Sequence, residues 1–177
     1  DYDTKIAAKS HLEAIDYLTS VSTASEHSLL VNVGDFIHAN GSAGTTFGGT
    51  RLDVDTRIEV VLEIAAQTFI FAIEKMLSQH KNVSVIIARG NHDSDTAIAL
   101  ALILKFYYQK EKRVNILDPH GFFHTLVFGK TLIAVHHGDK IKAPKLAAIL
   151  PRMLPEQWSS TNYRKWLVGH VHHQQLL

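Results

Sequence analysis

Four times along this chain an apolar run stops at a glycine-containing turn whose polar side chains can bind a metal. Leu29-Leu30-Val31-Asn32-Val33 ends in Gly34-Asp35, and Val83-Ser84-Val85-Ile86-Ile87-Ala88 ends in Arg89-Gly90-Asn91-His92-Asp93. Thr131 to Val135 ends in His136-His137-Gly138-Asp139, and Trp166-Leu167-Val168 ends in Gly169-His170-Val171-His172. Short runs rich in Val and Ile, closed by glycine, predict buried strands. Between them lie segments of helical period. Thr4 to Leu18 is one, and Ser94 to Tyr108 is another. A third opens near Asp55, a natural cap, and carries Ile58, Val61, Leu62, Ala65, Phe69, Ala72 and Met76 on one face. Val114 to Leu117 reads as a short strand, and His124–Phe128 and Thr131–Val135 flank Gly129-Lys130 as a tight hairpin. Ala143 to Leu150 reads as a helix with Pro144 in its first turn, and Pro151 to Tyr163 as mostly irregular chain. Strands alternating with helices predict an α/β layer structure, and the hairpin adds an antiparallel part.

The length of 177 residues suits one domain over 1–177, and 46% hydrophobic residues can fill its core without a covalent staple. There is no cysteine, which excludes disulfide scaffolds, thiolate zinc sites and cysteine nucleophiles. A formal charge of +1 excludes a strongly basic nucleic-acid wrapper but leaves room for a local cationic groove. No apolar stretch is long enough for a bilayer and Asp1-Tyr2-Asp3 is unlike a signal peptide, so no membrane partner and a cytoplasmic location are expected. Neither a Gly-x-Ser-x-Gly elbow nor a dinucleotide or P-loop glycine fingerprint occurs. Oligomeric state leaves no mark in the sequence. The anomaly is 12 histidines, and histidine is the commonest metal ligand.

In open α/β sheets, ligands bind in the crevice beyond the carboxyl ends of the strands. Any one of the four turns is also ordinary Gly/Asn/Asp turn chemistry. All four together, three of them carrying histidine, predict one site.

The order Gly34-Asp35, Gly90-Asn91-His92-Asp93, His137-Gly138-Asp139, Gly169-His170-Val171-His172 resembles the calcineurin-like metallophosphoesterase superfamily from Gly34 to His172. The resemblance implies a sandwich of two mixed β-sheets stacked face to face with helices outside. It implies a phosphoester substrate and two divalent metal ions, bridged by Asp35. Asn91, His137 and His170 would complete the second ion, and His172 would serve the first. An amide, carboxylate and imidazole set without thiolate suits manganese foremost, with zinc, iron or nickel as alternatives. Such a pair would lower the pKa of a bridging water and clamp the phosphate. His92 would face the phosphoryl oxygens or leaving group as proton donor or charge stabiliser.

Neighbouring residues are read more plainly. His136 and His137 point oppositely along a strand, so His136 is packed or lies behind the ligands, and His173 stands likewise to His172. Asp93, grouped here with His92 and His38 as catalytic, and Asp139 either orient histidines or cap local turns. His11, His27, His80 and His124 are expected to be ordinary surface or core residues.

Two departures from the family pattern carry weight. The family opens with an Asp-x-His pair that binds the first metal, and the only such triplet here is Asp118-Pro119-His120, out of order and read as a turn. The first site is therefore expected to be weak or empty, and the chain to be a fragment, incomplete at both ends. The second departure is Gly34-Asp35-Phe36-Ile37-His38, where many relatives carry an Asp in place of His38. A histidine there resembles the DNA-repair exonuclease branch, and implies that His38 sits near His92 and helps hold the scissile phosphate. The loop from Asn40 to Arg57, with Arg51 and Arg57, either contacts phosphates or is a disordered flap. The expected function is hydrolysis of nucleic-acid phosphodiesters, with DNA as the candidate partner. A phosphomonoesterase or small-nucleotide phosphodiesterase is the alternative, as is a non-catalytic metal-binding domain.

Overall fold

The computed structural model describes residues 3–171. The elements run α1 (Thr4–Val21), β1 (His27–Asn32), α2 (Ile58–Leu77), β2 (Asn82–Ile87), α3 (Ser94–Tyr107) and β3 (Val114–Ile116). They continue with β4 (His124–Phe128), β5 (Thr131–His136), α4 (Ala143–Leu146), α5 (Leu150–Met153), α6 (Pro155–Ser160) and β6 (Tyr163–Val168). They form two three-stranded sheets, ordered β1-β2-β3 and β4-β5-β6. The first is parallel throughout. The mixed character lies in the second, where β5 pairs antiparallel with β4 and parallel with β6.

Alternation along the strands decides what covers each face. Val83, Val85 and Ile87 of β2, with Leu30 and Ile116, face Ala65, Phe69 and Ile73 of α2 and Leu100 and Leu104 of α3. Ile86 and Ala88 point the other way, with Leu29, Val31 and Val33, onto Ile133 and Val135 of β5. On the far side of β5, Leu132 and Ala134 meet Leu150, Leu154, Trp158 and Trp166. The result is helices, sheet, sheet, helices. A fully buried side chain such as Ile73 or Leu100 contributes roughly 1.5–3 kcal/mol, so this interior sets the frame on which the turns sit.

Two local expectations are corrected. Asp55 does not cap α2, which starts at Ile58 after an extended Arg57 with no side-chain cap. Asp55 instead accepts from the backbone N–H and hydroxyl of Thr4, both at 2.7 Å, while Asp3 accepts from the N–H of Ile6 at 2.8 Å. Both helices begin on the same rim, and the carboxylate serves the neighbouring helix. The stretch after Leu150 is not irregular either. Pro144, Pro151 and Pro155 each stand in the first turn of a short helix, where a missing N–H costs nothing and ends the ladder before it. The expected helix over 143–150 is divided for the same reason.

Candidate metal centre

The site is built where β1, β2, β5 and β6 end. After β1 the backbone turns through Gly34, at φ +95°, and Asp35, at φ +59°, with the side chain of Asn32 accepting from the N–H of Gly34 at 3.0 Å. A non-glycine residue in the left-handed region costs about 1 kcal/mol or more, and Asp tolerates it best among the charged residues. His170, after β6, is the other described non-glycine residue there, at φ +65°. Both non-glycine departures therefore fall on residues of this site.

Asp93 holds the two turns of the first sheet together. Its side chain is fully buried, and it accepts from the N–H groups of Gly90 at 2.9 Å, Asp35 at 3.1 Å and Ile37 at 3.2 Å. Burial pushes its carboxyl pKa up, against the pull of those amides. Its carboxylate meets backbone amides and, among the described residues, no histidine ring, so of the two roles expected for it the structure shows the one of holding local turns. It positions the loops that carry Asp35 and Asn91. Gly90 must be glycine for a different reason: a Cβ there would overlap Oδ1 and the backbone nitrogen of Asp35.

The carboxylate of Asp35 divides its oxygens. Oδ1 accepts from the backbone N–H of His92 at 2.9 Å, and Oδ2 lies 3.1 Å from Nε2 of His137. Burial works against the charge, but the His137 and His92 hydrogen bonds prevail and hold this carboxyl below the usual range. His137, 2% exposed, donates from Nδ1 to the carbonyl of Val33 at 2.8 Å. Its Nε2 also stands 3.1 Å from Oδ1 of Asn91. Burial alone would lower the His137 pKa, and the bonds to Asp35 and Val33 raise it overall. The His170 ring lies 5.0 Å from that of His137, edge to face.

Ligand atoms of Asp35, His137 and His170 all lie within 4.8 Å of one another, the one such group of three among the described residues. The donor set fits a divalent cation. A carbonyl only accepts, so the Nδ1 proton of His137 is committed to Val33, and Nε2 faces two oxygens, Oδ2 of Asp35 and Oδ1 of Asn91. A divalent cation would take the place of the proton that Nε2 shares with Asp35, drawing on the same oxygens and nitrogen, and the Val33 bond is the usual device for fixing a ligating imidazole.

His92 and His38 sit beside this centre. His92 donates from Nδ1 to the backbone carbonyl of His38 at 2.9 Å, and the two rings are 5.4 Å apart. That bond fixes the His92 tautomer and leaves Nε2 for proton work. His38 is exposed.

The remaining candidates are accounted for. His172 and His173 lie outside the described residues. His136 faces away from His137, accepts from the N–H of Gly138 at 2.9 Å and stacks on Phe123 at 4.7 Å, and burial lowers its pKa. Asp139 pairs with Lys140 at 2.9 Å. Asp118 and His120 are exposed and pair with each other. His11 packs edge-on to Phe36, His27 to Phe128, and His80 meets Ser25 at 2.8 Å, while His124 is buried. The loop after Asn40 is not a free flap. Thr45 bridges to Arg51, Asn40 and Asp95 exchange bonds at 2.9 and 2.7 Å, and Phe47 donates to the carbonyl of Asn91 at 2.9 Å. Arg57 stands 3.5 Å from Glu59, both well exposed.

Sequence reasoning missed two supporting groups. The Val33 carbonyl has no sequence signal. Asn32 has one, as the single amide in an otherwise apolar strand end. Among the described residues no helix is long and apolar enough to cross a membrane. A family model described as calcineurin-like phosphoesterase matches residues 8–176, and no curated protein and no solved structure matches the chain.

Proposed function

Because this chain belongs to the calcineurin-like phosphoesterase family, hydrolases that cut phosphoester bonds with divalent metal ions, we propose that it is a cytoplasmic manganese-dependent phosphodiesterase acting on nucleic acid, as in DNA repair. Asp35, Asn91, His137 and His170 hold one ion, and Asp35 with His172 a second and weaker one. His92 and His38 serve the substrate.

The observation that carries this reading is the convergence of Asp35, His137 and His170 beside a His92–His38 pair. Divalent ions bound there supply Lewis acidity, acidifying water and drawing charge from phosphoryl oxygens. The protein supplies placement. The His92 amide and the Asp93-braced turn fix the Asp35 carboxylate, and the Val33 carbonyl aims His137. His92, oriented by the His38 carbonyl, stabilises phosphoryl charge and delivers a proton from Nε2 as the imidazolium. His38, beside it, contacts the same phosphoryl group. The His38 side chain, in the place where many relatives carry Asp, favours nucleic-acid diesters over small monoesters.

The test is hydrolysis of bis(4-nitrophenyl) phosphate with Mn²⁺, against an Asp35→Ala control. Turnover at least ~100-fold above the control is expected, the scale of losing a metal ligand or its support. Rates equal to the control overturn the hydrolase reading for this chain. A single-stranded oligonucleotide should be cleaved faster than thymidine monophosphate or a cyclic nucleotide, and the reverse order overturns the nucleic-acid part.

A further inference from the structure

A cavity of about 440 Å³ opens beside His38, between the starts of α1 and α2 and the loop that follows Ala39. It lies within the ~300–1,000 Å³ range of small-molecule pockets. Ile37, Ala39, Val54, Ile58 and Val61 form its apolar walls. The carboxylates and the guanidinium in its lining are paired, Asp55 with Thr4 and Arg57 with Glu59. Apart from His38 at the mouth toward the metal centre, the lining offers a charged occupant no unpaired counter-charge, so the walls suit a neutral, mostly apolar group.

His38 joins this cavity to the metal centre. It lines the cavity with its neighbours Ile37 and Ala39, and its carbonyl orients His92. The backbone N–H of Ile37 is also tied to Asp93, so the wall and the Asp35 turn share one anchor. Building on the phosphoester reading of the site, we infer that this cavity is the subsite for the uncharged organic group of the ester, up to the size of a nucleoside. With the phosphoryl group at Asp35, His137 and His92, one ester substituent continues past His38 and rests its ring on Val54 and Ile58. The subsite then discriminates between esters by the bulk and flatness of that substituent, while the phosphate is recognised elsewhere.

The experiment fills the cavity. Val54 is 45% exposed and Ser42 lies at the surface, so Val54→Trp and Ser42→Trp are accommodated without entering the core. Thymidine titrated into isotopically labelled wild-type protein should shift the amides of Ala39, Val54 and Ile58 in a saturable way, and both variants should lose that response. Shifts scattered elsewhere, or unchanged in both variants, overturn the assignment. In the kinetic arm, each variant should raise KM for bis(4-nitrophenyl) phosphate about tenfold and change kcat by less, the scale of a lost apolar contact. An unchanged KM in both overturns it as well. If the wild-type protein hydrolyses nothing, the phosphoesterase reading fails on its own, and the thymidine titration alone decides the cavity.

Discussion

Nε2 of His137 stands 3.1 Å from Oδ2 of Asp35, although the two residues leave strands of different sheets. Neither has freedom to drift. The ring of His137 is tethered through Nδ1 to Val33, and the other oxygen of Asp35 is tethered to the amide of His92. The pair is thus built before any ion arrives, which is the condition for tight and selective binding.

Gly90→Ala should damage the centre without touching a ligand. The added methyl would occupy the place of Oδ1 and the backbone nitrogen of Asp35, forcing that turn to shift. Mn²⁺ affinity by calorimetry is expected to fall by about 10- to 100-fold, comparable to losing a supporting group of a metal ligand. Wild-type affinity in this variant would show that the Asp35 position is irrelevant to the ion.

Metal should stabilise the fold through these residues. With free Mn²⁺ at about 100 times its dissociation constant, the gain is about 2.7 kcal/mol, visible as a higher Tm that EDTA reverses. Asp35→Ala and His137→Ala should each abolish the shift. A shift of full size in both variants would move the ion to another place.

Asp93→Ala should be the most destabilising single change at this rim. It strands the N–H groups of Gly90, Asp35 and Ile37, none of which donates to another described residue. Leaving buried donors unpaired costs about 1–3 kcal/mol apiece, offset in part where water enters, so a loss of about 2–4 kcal/mol by denaturant titration is expected. A loss below about 1 kcal/mol would mean the turns hold without it.

His124 should make stability depend on pH. Burial lowers its pKa below the ordinary 6.5, and its Nε2 is buried without a partner in the structure. Its neutral form in the fold therefore contributes stability that is complete above about pH 6.5 and is lost as pH falls toward the folded value, with a limiting slope of about 1.4 kcal/mol per pH unit. His124→Leu should gain on the wild type steadily between pH 7 and pH 5. A difference that is flat with pH would show that His124 charges as readily folded as unfolded.

The strand ends were legible because each combines β-branched apolar residues with an abrupt glycine turn, and Gly129-Lys130 fixed the β4–β5 hairpin in the same way. Opposite pointing of His136 and His137 followed from the two-residue period of a strand alone. Asp55 was not legible, since a carboxylate just ahead of a helical run caps whichever helix start is nearer in space, and that was α1. Nor was the work of Asp93, two of whose partners lie 58 and 56 positions earlier in the chain. The short helices after Leu150 were hidden because proline is read as a breaker, whereas in a first turn it is a starter.

His137 comes from β5, while Asp35 and Asn91 follow β1 and β2. An ion shared among them is a rivet driven through both halves of the sandwich, adding a tie to layers that Ile86 and Val135 already hold in contact. The molecule would then report its metal content through its stiffness, well away from the place where the metal sits.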